Sequence, residues 1–222
     1  MDSLLFFCGL AITIIVVAIF GYRIFATRRR RKELLTGIID HVFPGTEIRY
    51  VYHSSRKKGA FDPSGLTCQV AEKDLALSIA RRSSWHPTTG IFKRTPVPIA
   101  VMILPLTASD FSSYKRVAGF MGLSVFPEFI NKFGALAQSY QELDKLKSLN
   151  SWSDFVSAFQ HDPKLIAVYF LGSSEGLFSS FFSACGGTGI LIARTGEATT
   201  LDQGMIKNYC KLLDRLAVEI NS

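Results

Sequence analysis

Residues 4–22 read LLFFCGLAITIIVVAIFGY, nineteen positions without a charge, and the next ten residues hold six Arg or Lys. As a helix the apolar run is about 28 Å long at about 1.5 Å per residue, which matches the roughly 30 Å hydrocarbon core of a bilayer. Ile12, Ile14, Ile15, Val16, Val17 and Ile19 are β-branched and form helix poorly in water. In lipid the backbone has no other hydrogen-bond partner, so helix is the outcome there. Tyr22 stands where an interfacial aromatic belongs, and Arg23 has the reach to snorkel to the headgroups. The order of charge, Asp2 before the run and Arg28, Arg29, Arg30, Arg31 and Lys32 after it, is the reverse of a cleaved signal peptide. The positive-inside rule then places Met1 outside and the C-terminal part in the cytoplasm of a single-pass protein. A plasma membrane or bacterial inner membrane suits that arrangement.

Arg23, Arg28, Arg29, Arg30, Arg31 and Lys32 are the candidate headgroup contacts, since anionic lipid attracts each juxtamembrane cation by about 1 kcal/mol. The same residues account for most of the charge. Residues 1–32 carry six positive charges and one negative, a net +5, out of +7 for the whole chain. The remaining +2 lies on residues 33–222, too little for a nucleic-acid-binding surface. The sequence therefore divides into an anchor with its basic segment, 1–32, and a cytoplasmic domain, 33–222.

Within the second part, Leu34, Leu35, Ile38, Ile39 and Val42 form a helical stripe that Pro44-Gly45 ends. Glu47 to His53 alternates as a strand, with Ile48, Tyr50 and Tyr52 on one side. The polar stretch SSRKKGAFDPSG follows, whose Arg56, Lys57 and Lys58 read as a solvated turn or a second headgroup contact. Leu66–Val70 reads as a strand, and residues 71–82 as either helix or strand. Residues 83–98, with three prolines, read as a loop. Ile99–Leu104, Leu165–Leu171 and Gly189–Arg194 are short apolar runs expected as buried strands. Residues 176–185, rich in Phe and Ser, read as strand or loop, with strand favoured.

Three further helices are expected: 109–120, a long one from Pro127 to about Ser148, and a short one around Trp152, Phe155, Val156 and Phe159. In the long one Phe129, Phe133, Leu136, Tyr140 and Leu143 step by four and three. A last helix follows Thr200 and Gln203, a T-x-x-Q capping box, with Ile206, Tyr209, Leu213, Leu216 and Ile220 in its stripe. The absence of regular strand–helix alternation points to an α+β fold with a mainly antiparallel sheet covered by helices.

Motifs for chemistry are sparse. ACGGTGILIAR, 184–194, lacks the helix and the G-K-[ST] that a phosphate loop needs, and reads as a turn between strands. Gly172-Ser173-Ser174-Glu175-Gly176 fits G-x-S-x-G by its letters. A hydrolase of that type places its histidine after the serine, and none occurs beyond His161. His41, His53, His86 and His161 stand apart, and Cys8, Cys68, Cys185 and Cys210 have neither zinc nor disulfide spacing. No catalytic residue, cofactor or metal ligand is assigned. The partners expected are the lipid bilayer and one or more proteins, with no nucleic acid. Three function classes follow: a membrane-anchored, non-enzymatic scaffold or assembly component, a membrane-tethered sensor of a small ligand or lipid headgroup, and an enzyme whose site is dispersed in sequence.

Overall fold

The structure, a computed structural model, describes residues 2–52, 65–70, 73–81, 87–105, 118–119, 122–130, 132–172, 188–196 and 203–222. It opens with α1 (Asp2–Val42), one unbroken helix of 41 residues and about 60 Å. Its first half is unburied among the described residues. Its second half buries Leu35, Ile38, Ile39 and Val42 in a core. The chain reverses over 43–47, with Gly45 at φ +75°, a left-handed position that suits glycine.

Among the described residues nine strands follow: β1 (Ile48–Tyr52), β2 (Leu66–Val70), β3 (Leu75–Arg81), β4 (Pro87–Arg94), β5 (Ala100–Pro105), β6 (Ser124–Ile130), β7 (Phe133–Ala137), β8 (Leu165–Leu171) and β9 (Gly189–Thr195). They form a single sheet in the order β1-β2-β3-β4-β9-β8-β5-β7-β6. Every pairing is antiparallel. Three more helices, α2 (Tyr140–Lys147), α3 (Trp152–Gln160) and α4 (Gln203–Glu219), share one core cluster with the second half of α1. A long apolar N-terminal helix and a mainly antiparallel sheet with helices, as expected, are what the described residues form.

Alternation explains the two sheet faces. Leu66, Cys68 and Val70, Leu75, Leu77 and Ile79, and Ile190 and Ile192 point toward the helices. The other face carries Ala76, Phe92, Met102, Leu104, Leu136, Tyr169 and Leu191, also buried. Aromatic rings fill the space under α3: Phe133 meets Phe159 edge-on at 4.9 Å between centroids, and Phe155 meets Phe159 at 5.4 Å. The abundance of Phe is to that extent a core property. Two glycines are set by crowding. A Cβ on Gly189 would lie 2.2 Å from the Lys93 carbonyl oxygen, and one on Gly172 would lie 2.7 Å from that of Ile99.

Two expectations are corrected. The loop expected over 83–98 contains β4, a central strand. Thr88, Thr89, Ile91 and Phe92 favour the pleat, and Pro87 takes the first position, where the missing N–H is tolerated. The long helix expected from Pro127 to Ser148 is instead the hairpin β6–β7 followed by α2. Pro127 sits on the edge strand of the sheet, and the ladder is irregular between Phe126 and Ile130. The four-and-three spacing of Phe129 and Phe133 arises because a turn brings Ile130 opposite Phe133.

Other readings gain definition. The segment read as helix or strand contains β3 over Leu75–Arg81. Of the helix expected over 109–120, Ala118 and Gly119 are helical and 109–117 lie outside the described residues. So do Arg56–Lys58, the strand expected over 176–185, Ser174, Cys185 and Thr200 of the capping box. The last helix closes the helical layer as expected. Glu219 near its end accepts from the Ser151 N–H and hydroxyl, both at 3.0 Å, and Asn221 donates to the Thr95 hydroxyl at 2.7 Å.

Candidate functional site

The candidate site is the junction where α1 leaves its unpacked half and meets the edge of the sheet. Burial along the helix begins at Ile24 and recurs at Arg28, Arg31, Leu35, Ile38 and Val42, in steps of four and three. That is the spacing of a helix face laid against one surface. The six basic residues fall on both sides of this division, and the structure separates their roles. Arg23 and Arg30 are exposed. Arg29 is exposed and pairs with Glu33 one turn on, at 2.9 Å. Arg28 is half-buried, its guanidinium 4.9 Å from the centroid of the Tyr52 ring. Lys32 is exposed and sets its ammonium 4.8 Å above the Tyr50 ring.

Arg31 differs from its neighbours. It is only 1% exposed, on the helix face that enters the core. Its side chain takes part in the packing of α1 on the body.

The chain positions these contacts by running β1 back alongside α1. As residue numbers fall along the helix they rise along the strand: Thr36 and Tyr50 share a hydrogen bond between hydroxyls, Lys32 covers Tyr50, and Arg28 covers Tyr52. The β alternation that puts Ile48, Tyr50 and Tyr52 on one face therefore presents both tyrosines to the helix. The same burial raises the Tyr50 hydroxyl above the ordinary tyrosine range, against a smaller opposing effect of the Thr36 hydrogen bond. A cation over an aromatic face contributes about 0.5–1 kcal/mol when exposed.

A second polar centre lies inside the body. Asp162, its carboxylate fully buried, accepts from Arg194 at 2.6 and 3.2 Å, from the Tyr209 hydroxyl at 3.0 Å and from the Lys164 N–H at 3.0 Å. Arg194 also points at the Met205 sulfur at 3.0 Å. The network ties β9, the turn before β8 and α4 together, and burial beside that carboxylate pushes the Tyr209 hydroxyl far up. Its donors and acceptor satisfy one another, which makes it a structural tie. In the sequence Asp162 precedes Pro163, a turn-forming pair. The 32 residues that separate it from Arg194 leave no local signal of the pair.

The remaining candidates stay dispersed. His41 is exposed, and His161 is exposed with Nδ1 2.7 Å from the Ser157 carbonyl oxygen. His53 and His86 lie outside the described residues. Cys68 and Cys210 are buried, and burial pushes both thiols up to about 12, with Asp40 adding to the effect at Cys68 and Asp214 at Cys210. Among the described residues no three His, Cys, Asp or Glu are grouped to hold a metal ion. One buried side-chain polar atom among them, Ser78 Oγ, has no hydrogen-bond partner.

No family model matches the chain, and no curated protein matches it. Among solved structures it is similar to the crystal structure of the mycobacterial trehalose monomycolate transport factor A, with 12% identity over 85% of this chain and 95% of that one, at a TM-score of 0.45. At that distance the likeness carries nothing about function.

Proposed function

We propose that the chain is a single-pass membrane protein whose sheet-and-helix body acts as a non-enzymatic assembly or interaction component held against the cytoplasmic face, with the N-terminus outside. The observation that supports this is the continuity of α1. Its first half is apolar on all sides and unpacked, its second half is a core helix, and the basic cluster stands between them. On this reading residues 1–32 serve as the anchor and residues 33–222 as the cytoplasmic domain, although the face that packs on the body begins earlier, at Ile24.

The depth of the basic residues follows from the helix rise. With Tyr22 at the hydrocarbon boundary, Arg28 is about 9 Å and Lys32 about 15 Å further along. The headgroup layer is only about 5–8 Å thick. Arg23, Arg28, Arg29 and Arg30 are thus within reach of phosphates. Lys32 is above them, and its ammonium is engaged by Tyr50.

Two experiments test the reading. A reporter fused after Ser222 that matures only in an oxidising compartment should stay inactive, and an active reporter would reverse the topology. Crosslinking in cells followed by purification of the tagged chain in mild detergent should recover a stoichiometric protein partner. A clean monomer would count against the assembly role.

A further inference from the structure

We propose that the Tyr52 ring is a second membrane contact, by which the body itself rests on the phospholipid headgroups beside the anchor. The inference rests on the anchored reading above and adds a point of attachment outside α1. It starts from the large apolar side chains that the body leaves exposed. Among the described residues beyond α1 there are three: Tyr52, Tyr140 and Val218. Such residues are ordinary when scattered singly. What matters here is where they stand.

The antiparallel registers sort them between the two ends of the strands. Ile48 pairs with Val70, Val70 with Leu75 and Leu75 with Lys93, so these residues share one end. Val218 belongs to that end, since Asn221 beyond it donates to the Thr95 hydroxyl just after β4. So does Tyr140. Its helix α2 reaches the Ala100 N–H through Glu142, and Ala100 leads across the sheet through Leu171 and Gly189 to Arg94. Tyr52 is at the other end, toward which β1 runs as it returns along α1 to the anchor.

Height selects the partner. From Lys32 back to Arg28 the helix descends about 6 Å, and from Tyr50 to Tyr52 the strand descends about 7 Å. Each ring therefore keeps level with its cation. The Tyr52 ring, 4.9 Å from the Arg28 guanidinium, shares the reach of Arg28 to the phosphates. Tyr22 and Phe25 are the exposed rings of the helix itself near the boundary, and Tyr52 adds one from the body. A tyrosine suits that level, with an apolar ring for the lipid side and a hydroxyl for the wet side. The guanidinium against the ring brings charge that anionic headgroups attract. No part of the contact is assigned to 53–64, which lie outside the described residues.

The test adds one tryptophan at a time to the full chain in nanodiscs of phosphatidylcholine and phosphatidylglycerol. Emission is read above that of the wild type, which carries Trp85 and Trp152. Spin-labelled lipid quenches from the headgroup or from deep in the acyl chains, and acrylamide quenches from water. Tyr52→Trp should lose more emission to the headgroup label than to the acyl label. It should lose less to acrylamide than Val218→Trp, which should respond to neither label. The exchange keeps an aromatic ring at an exposed position, so thermal stability should hold. Hydroxyl-radical labelling of the wild type asks the same question without a substitution. Tyr52 should be modified well below Tyr140, although the two are 45% and 55% exposed within the chain.

Quenching of Tyr52→Trp that matches Val218→Trp, or equal radical modification of Tyr52 and Tyr140, would overturn the proposal. A stronger loss to the acyl label would place the ring in hydrocarbon and overturn it as well. Ile15→Trp separates this result from the anchored reading, because it should lose most to the acyl label. Its failure to do so would withdraw the anchor. Failure of Tyr52→Trp beside a quenched Ile15→Trp would withdraw the second contact alone.

Discussion

From Phe6 to Tyr22, α1 presents large apolar side chains in every direction. Phe6, Val17 and Phe20 are 68%, 65% and 63% exposed within the chain. From Ile24 to Val42 the same helix is two-sided, with Leu35 and Ile39 fully buried and Arg30, Lys32 and Asp40 outside. The backbone is continuous across the change. On the membrane-anchored reading, what differs is the solvent of each half: lipid accepts a helix apolar all round, whereas a water-facing helix must divide its faces. The basic cluster marks the exchange, and Arg31 already belongs to the second regime.

Core truncation should divide the two halves most sharply. Leu35→Ala and Ile39→Ala should each lower the unfolding free energy of the body by about 2–5 kcal/mol in chemical denaturation. Ile15→Ala and Ile19→Ala should leave it unchanged. An equal effect from both pairs would mean that the first half of α1 packs on the body after all.

The body alone should also weaken at high pH. Burial in the folded state pushes the pKa of the Cys68 and Cys210 thiols up to about 12, above an unfolded value of about 8.5. Above that lower value the unfolded chain holds fewer protons, so stability falls as pH rises. The contribution is fully present below about pH 8.5 and declines by about 1.4 kcal/mol per pH unit for each thiol up to about 12. Denaturation measured across this window should show the slope, and Cys68→Ala with Cys210→Ala should reduce it, leaving above about pH 10 the part that Tyr50 and Tyr209 contribute.

Smaller effects probe the junction. Tyr50→Phe removes the hydroxyl bond to Thr36 and should cost about 0.5–1.5 kcal/mol in the same measurement. Arg29→Gln breaks an ion pair with Glu33 whose side chains are 74% and 64% exposed, and should change stability by no more than a few tenths of a kcal/mol. A larger loss there would place Arg29 with Arg31 inside the packed half.

The elements legible in the sequence are those whose signal is local. The nineteen uncharged residues, the stripe from Leu35 to Val42, the apolar run of β8 and the periodicity of α4 each lie within a single window. β4 was hidden because Pro87 and Gly90 read as loop, while its stability comes from pairing with β3 and β9 on either side. The β6–β7 hairpin was hidden because two strands around a tight turn mimic helical spacing, and because the edge position that tolerates Pro127 is a property of the assembled sheet. At the junction the basic residues were visible, and so was the alternation of Tyr50 and Tyr52. That Arg28 and Lys32 would rest on those rings, and that Arg31 would turn inward, depends on β1 returning along α1.

The absence of a break in α1 between Tyr22 and Val42 has a further consequence on the membrane-anchored reading. A body on a flexible ten-residue tether would wander by roughly 16–19 Å and meet partners at many heights and tilts. Here the helix acts as a ruler. It fixes the distance from bilayer to sheet edge and leaves the body two freedoms, drifting in the plane of the membrane and spinning about the helix axis. A partner in the same membrane then needs its own contact at a matching height, and encounter becomes a two-dimensional search.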